Sequence, residues 1–172
     1  DTSRVKVQKG QRASFAWIPV DGQGQRSIYM FPNITATVTP EAIRADFADY
    51  IGQADHFHTE ASQIPLSAVI EAERVARERG AKVLFDLDID PQDVVNHARL
   101  GSEEELMTAI SLADILKPCK SAARELTGFS DPEDMARKLL EHGPSLVALT
   151  AGEEGCFLAT ERETVHAPAF DV

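Results

Sequence analysis

Four aspartates, Asp86, Asp88, Asp90 and Asp93, crowd one short stretch directly after the apolar run Lys82-Val-Leu-Phe85. That run reads as a buried strand, so the carboxylates stand at its C-terminal end, where open α/β sheets bind their ligands. Carboxylates so placed hold a hard cation or accept hydrogen bonds from hydroxyls. A solvated loop whose aspartates cap the next helix is the competing reading. His56 and His58, two apart on an expected strand Ala54–His58, share one face, and with Glu60 imitate a metal triad. No third ligand is fixed by spacing, and a packed histidine is the plainer account, so no metal ligands are assigned. Thr150-Ala-Gly-Glu-Glu-Gly155 follows the most apolar run, Ser145–Thr150. Its glycines permit close approach of a phosphate or nucleotide, or simply make a tight hairpin. Cys119 opens an expected helix, where a thiol becomes reactive if its proton is easily lost, whereas Cys156 lies in an apolar strand and reads as packing. Phe15, Trp17, Tyr29 and Phe31 would either stack against a ligand or pair with one another across a ribbon.

These groups need a frame. Ala13–Val20 and Arg26–Phe31 are β-rich runs joined by Asp21-Gly-Gln-Gly-Gln25, which predicts a hairpin, and Pro19 restricts its strand to an edge. Thr39-Pro40 opens a helix to about Tyr50. A second helix from about Pro65 to Arg79 stops at Gly80, and Lys120–Thr127 stops at Gly128. A strand is expected at Asp114–Lys117, a helix opened by Asp131 and Pro132, and a terminal hairpin of Cys156–Ala159 with Glu163–His166. Strand and helix alternating at this spacing imply right-handed crossovers and a mainly parallel sheet covered on both faces.

With 17 basic and 28 acidic residues the 172-residue chain carries a net charge of −11. That argues against a broad phosphate-binding surface and hence against a nucleic-acid partner. Hydrophobic residues at 43% and charged residues at 26% are ordinary for a globular domain. Two cysteines exclude a disulfide scaffold, no apolar run is long enough for a membrane helix, and the polar opening Asp1–Val5 has no signal-peptide pattern. The expected location is cytoplasmic. The missing initial Met and the ending Phe170-Asp-Val172 suggest a segment of something longer.

The order of these pieces resembles the ribokinase-like (PfkB) carbohydrate kinases. Ala13–Ile28 looks like that family's lid hairpin, and Val83-Leu-Phe-Asp-Leu-Asp88 like its strand ending in Asp-x-Asn. Asp114–Gly128 is similar to its Asn-x-x-Glu segment, and Leu149–Gly155 to its Thr-x-Gly-x-x-Gly turn. The resemblance implies a three-layer α/β/α core over residues 35–172, incomplete here, with a lid hairpin and connection over 1–34. It implies transfer of the γ-phosphate of ATP, with Mg²⁺, to a sugar hydroxyl. Thr150, Gly152, Gly155 and Cys119 would approach the nucleotide, and Asp86, Asp88, Ser14, Ala16, Tyr29 and Phe31 the sugar. No catalytic residue is expected in the segment, because the family's catalytic Asp would follow Val172. Two departures stand out: Cys119-Lys-Ser-Ala122 replaces Asn-x-x-Glu, and Asp90 stands where many members have Arg. The first leaves activity uncertain, and the second favours a neutral polyol or ketose. The chain alone is expected to be inactive. A non-catalytic sensor or oligomerising module is the alternative, and the lid is an edge through which two copies could pair.

Overall fold

The computed structural model describes residues 4–170, so Asp1–Ser3 and Asp171-Val172 lie outside the described residues. Strands β1 (Phe15–Trp17) and β2 (Tyr29–Phe31) form a two-stranded antiparallel ribbon. A six-stranded sheet follows: β3 (His56–Glu60), β4 (Lys82–Leu87), β5 (Ile115–Pro118), β6 (Leu146–Thr150), β7 (Cys156–Ala159) and β8 (Thr164–Ala167). Their order in space is their order in the chain, with β3 to β6 parallel and β6 to β8 antiparallel. Strand β3 begins two residues later than the sequence predicts, which leaves the shared face of His56 and His58 unchanged.

The helices are α1 (Pro40–Ala42), α2 (Ala48–Ile51), α3 (Leu66–Glu78), α4 (Glu103–Leu112), α5 (Lys120–Thr127) and α6 (Pro132–Leu140). A π-turn over Ile43–Phe47 joins α1 to α2, and a second spans Asp93–His97. Thr39 accepts from the Ala42 amide, Asp131 caps α6, and Ser102 with Glu105 forms a reciprocal capping box on α4. Gly128 ends α5 at φ 73°, a left-handed conformation that suits glycine.

Right-handed crossovers in a monotonic strand order put the connecting helices on one side of the sheet, and burial agrees. Val83, Phe85 and Leu87 of β4, Leu116 of β5, and Val147 and Leu149 of β6 are wholly buried and share one face with the core side chains of α3 to α6. The alternating residues Leu84, Ile115, Leu146, Ala148 and Leu158 are only half-buried and stand outside that core. The α/β architecture is as expected. Of the three expected layers, the described residues supply the sheet and one helical layer.

One polar group breaks the apolar interior. Glu73 of α3 is fully buried, and neither carboxyl oxygen has a hydrogen-bond partner. Burial raises its pKa to about 9, against a smaller downward pull from Arg77 one helical turn on.

Candidate functional site

The C-terminal ends of β3 to β6 bring together residues far apart in the chain. Asp86 lies opposite Lys117 in the β4–β5 register. Lys117 Nζ donates to both Asp86 oxygens at 2.9 Å and to Asp88 Oδ1 at 3.1 Å. His58 Nε2 stands 3.7 Å from Asp86 Oδ2. Burial pushes the Asp86 carboxyl above its usual range, the Lys117 hydrogen bonds pull it back, and the neighbouring Asp88 charge adds to the rise. Burial draws Lys117 down, but its bonds to the two carboxylates outweigh this and raise it on balance. The ammonium therefore sits where a cation shared by Asp86 and Asp88 would go. Among the described residues no three His, Cys, Asp or Glu side chains cluster as a metal site, and Glu60 accepts instead from the Ser62 hydroxyl. Nor do the aspartates form one group: Asp93 pairs with His97 on the π-turn.

The Thr150 turn lies beside this cluster. Thr150 pairs with Cys119 by an isolated parallel bridge and donates its hydroxyl to the Pro118 carbonyl at 3.3 Å. The two glycines have different reasons to be glycine. A Cβ on Gly155 (φ 86°) would fall 2.1 Å from the Ala167 carbonyl oxygen, so the adjoining β8 segment itself requires glycine there. A Cβ on Gly152 (φ 58°) would meet nothing within 4 Å, so its backbone faces open space. Cys119 is half-buried at the start of α5, with Sγ 3.2 Å from Ser121 Oγ. Ala122 is wholly buried. Cys156 is half-buried on the open face, and burial raises its thiol pKa despite the Lys117 charge.

Beneath the hairpin is a cavity of about 520 Å³, bordered by Tyr29 and Phe31 from β2, by Ser62 and Ile89, and by Asp93 and His97. Ser14 and Ala16 are not among its lining residues: the wall comes from β2, not β1. On the ribbon, Phe15 stacks on Phe31 at 4.5 Å and Trp17 lies 5.3 Å from Tyr29, so the aromatics pack on one another across the two strands.

Sequence reasoning passed over Lys117, Ser62 and His97. Lys117 had a legible signal, a lone basic residue near the C-terminal end of a strand whose neighbour ends in acids. The i,i+4 spacing of Asp93 and His97 was equally visible, but not its position under the hairpin.

The pfkB family carbohydrate kinase model matches residues 1–172. The chain is 29% identical to a ribokinase of Staphylococcus aureus over 178 aligned positions, covering 100% of this chain and 54% of that protein. It is 32% identical to a bifunctional ribokinase/ribose-5-phosphate isomerase A of Fructilactobacillus sanfranciscensis, covering 93% of this chain and 28% of the relative. The chain thus spans about half the length of the first relative and less of the second. Among solved structures, a putative ribokinase II from E. coli in complex with ATP and Mg²⁺ superposes with a TM-score of 0.76 at 19% identity, over 95% of this chain and 52% of that one.

Proposed function

The chain belongs to the pfkB family of carbohydrate kinases, and from this we propose that it is the central part of an ATP-dependent kinase for a neutral ketose or polyol. In the reaction a sugar hydroxyl gives up its proton, its oxygen bonds to the γ-phosphorus, and the bond from that phosphorus to the ADP oxygen breaks. The observation that carries the reading is the side-by-side placement of an aromatic-walled cavity, a Lys-neutralised carboxylate cluster and an open glycine turn along one sheet edge. Residues 1–34 act as the lid on the core. Tyr29 and Phe31 border the sugar, and Asp86 and Asp88 stand beside it as a lysine-braced wall. The backbone at Gly152, with Thr150 and Cys119 beside it, faces ATP. Ala16, on β1, and Ser14, just before it, serve the lid from its other side. The four exposed aromatics give the lid a surface on which a second copy could pack.

Mg²⁺ does not fit the residues present. Ala122 is buried and offers no oxygen ligand from its side chain, and Lys117 occupies the space between Asp86 and Asp88. No step is therefore routed through a metal held by this segment. The same Cys119 and Ala122 favour a second reading, a ribokinase-like sensor that binds without turnover.

Coupled measurement of ADP release decides between them. The expected result is no sugar-dependent ADP release from the 172-residue chain, and release with a neutral sugar from the longer protein that contains it. Turnover by the short chain would overturn the partial-kinase reading. A longer protein that binds sugar without releasing ADP would support the sensor.

A further inference from the structure

Three polar side chains along the cavity beneath β2, Asp93, His97 and Ser62, share one property, and the Tyr29 hydroxyl, which can donate as well as accept, stands apart from them. His97 Nδ1 lies 2.6 Å from Asp93 Oδ1 within the π-turn Asp93–His97. A carboxylate has no hydrogen to give, so Nδ1 carries the hydrogen, and whenever the ring is uncharged Nε2 holds a lone pair. Ser62 already gives its hydroxyl hydrogen to Glu60 Oε1, so it has only acceptor capacity left. The second oxygen of Asp93 is an acceptor as well. No lysine or arginine is among the described residues lining the cavity, whose remaining wall includes the rings of Tyr29 and Phe31. π-turns inside helical segments occur often at functional sites, and this one puts Asp93 and His97 on the same cavity wall.

We propose that Asp93, His97 and Ser62 form an acceptor-lined pocket that recognises an uncharged polyhydroxylated ligand by its hydroxyl hydrogens, with His97 as the residue that sets specificity. This rests on the sugar-kinase reading and deepens it by naming the groups that select a neutral sugar. Each hydroxyl hydrogen of such a ligand meets a lone pair, and its C–H face packs against the aromatic wall. A carboxylate or phosphate on the sugar brings oxygens with no hydrogen to share; of the side chains named here only the Tyr29 hydroxyl can donate to them, while Ser62, His97 and the Asp93 charge offer them nothing. Asp93 is here a positioning residue, because it fixes which nitrogen of His97 is free.

The test is direct binding to the 172-residue chain, by saturation-transfer NMR and calorimetric titration with D-fructose, D-fructose 6-phosphate and D-gluconate. Wild type is expected to bind fructose at least about tenfold more tightly than either anion. His97→Ala should weaken fructose about fivefold, the loss of one hydrogen bond. Asp93→Asn should weaken it by a similar factor, and His97→Gln should recover part of the loss. His97→Arg should shift preference towards the anions. The His97 side chain is 79% exposed, so thermal midpoints should stay at the wild-type value. Fructose binding unaffected by His97→Ala, anions bound as tightly as fructose, or no binding of fructose by wild type would each overturn the proposal. ADP release by the longer protein judges the kinase reading separately, so an active kinase indifferent to His97 would remove this inference alone.

Discussion

The two faces of the six-stranded sheet are built from neighbouring residues of the same strands, and they treat water in opposite ways. On one, Val83, Phe85, Leu116, Val147 and Leu149 are wholly buried beneath the helices. On the other, Leu84, Ile115, Leu146 and Ala148 keep partial exposure, and the strand ends carry Asp86, Lys117 and Thr150. The difference teaches where the fold keeps its stability and where it can carry polar groups. Charge is tolerated at the C-terminal end of the open face because Asp86 and Asp88 share the Lys117 ammonium and Glu60 accepts from the Ser62 hydroxyl. The covered face has no comparable arrangement, and Glu73, the one buried acid among the described residues of the helical layer behind it, is held in its neutral form by burial.

Truncation on both faces gives the largest test. Phe85→Ala should cost about 3–5 kcal/mol of unfolding free energy through lost burial and a residual cavity, and Leu84→Ala under about 1 kcal/mol. Urea titrations giving equal losses would break the comparison. Next is Glu73→Met. The unfolded carboxyl titrates near 4.5 and the folded one at about 9. Below 4.5 both states are protonated and the group contributes no pH-dependent cost. Between the two values the unfolded chain is charged while the folded one is neutral, so stability falls as pH rises. The substitution should therefore stabilise by roughly 2–4 kcal/mol at pH 8 and by under about 1 kcal/mol at pH 5. A gain independent of pH would place the charged form of Glu73 in a better environment than its burial allows. The smallest effect is expected from Lys117→Met, which leaves Asp86 facing Asp88 without its cation. A loss of about 1–3 kcal/mol should accompany a further upward shift of the Asp86 carboxyl, followed by NMR titration. An Asp86 that titrated in the ordinary carboxylate range in this variant would show that Lys117 is not what holds the pair together.

Local chemistry made much of the frame legible. Thr39-Pro40, Asp131-Pro132 and Gly128 act within one helical turn of their own positions, so the sequence alone placed those boundaries. The strand end at Asp86 was equally plain, since a buried apolar run followed by acids has few alternatives. What stayed hidden depends on register and on segments meeting across the chain. Lys117 pairs with Asp86 because β5 slides to that alignment on β4 and not one residue away. His97 reaches the hairpin cavity because residues 28–32 fold over it, which no spacing between positions 29 and 97 could reveal. The second reason for Gly155, the carbonyl of Ala167, is hidden in the same way. Composition along the strands did not disclose that the described helices would gather on one side. That follows from strand order.

Strand order has a kinetic side too. In the large sheet each strand pairs with the one made just before it, from β3 through β8. Every ladder therefore closes a loop of one connecting segment, with no strand waiting for a distant partner. The sheet can grow from one end as a ribosome delivers it, each finished edge serving as the template for the next addition. Among the described residues the β1–β2 ribbon pairs only with itself and stands apart from that succession.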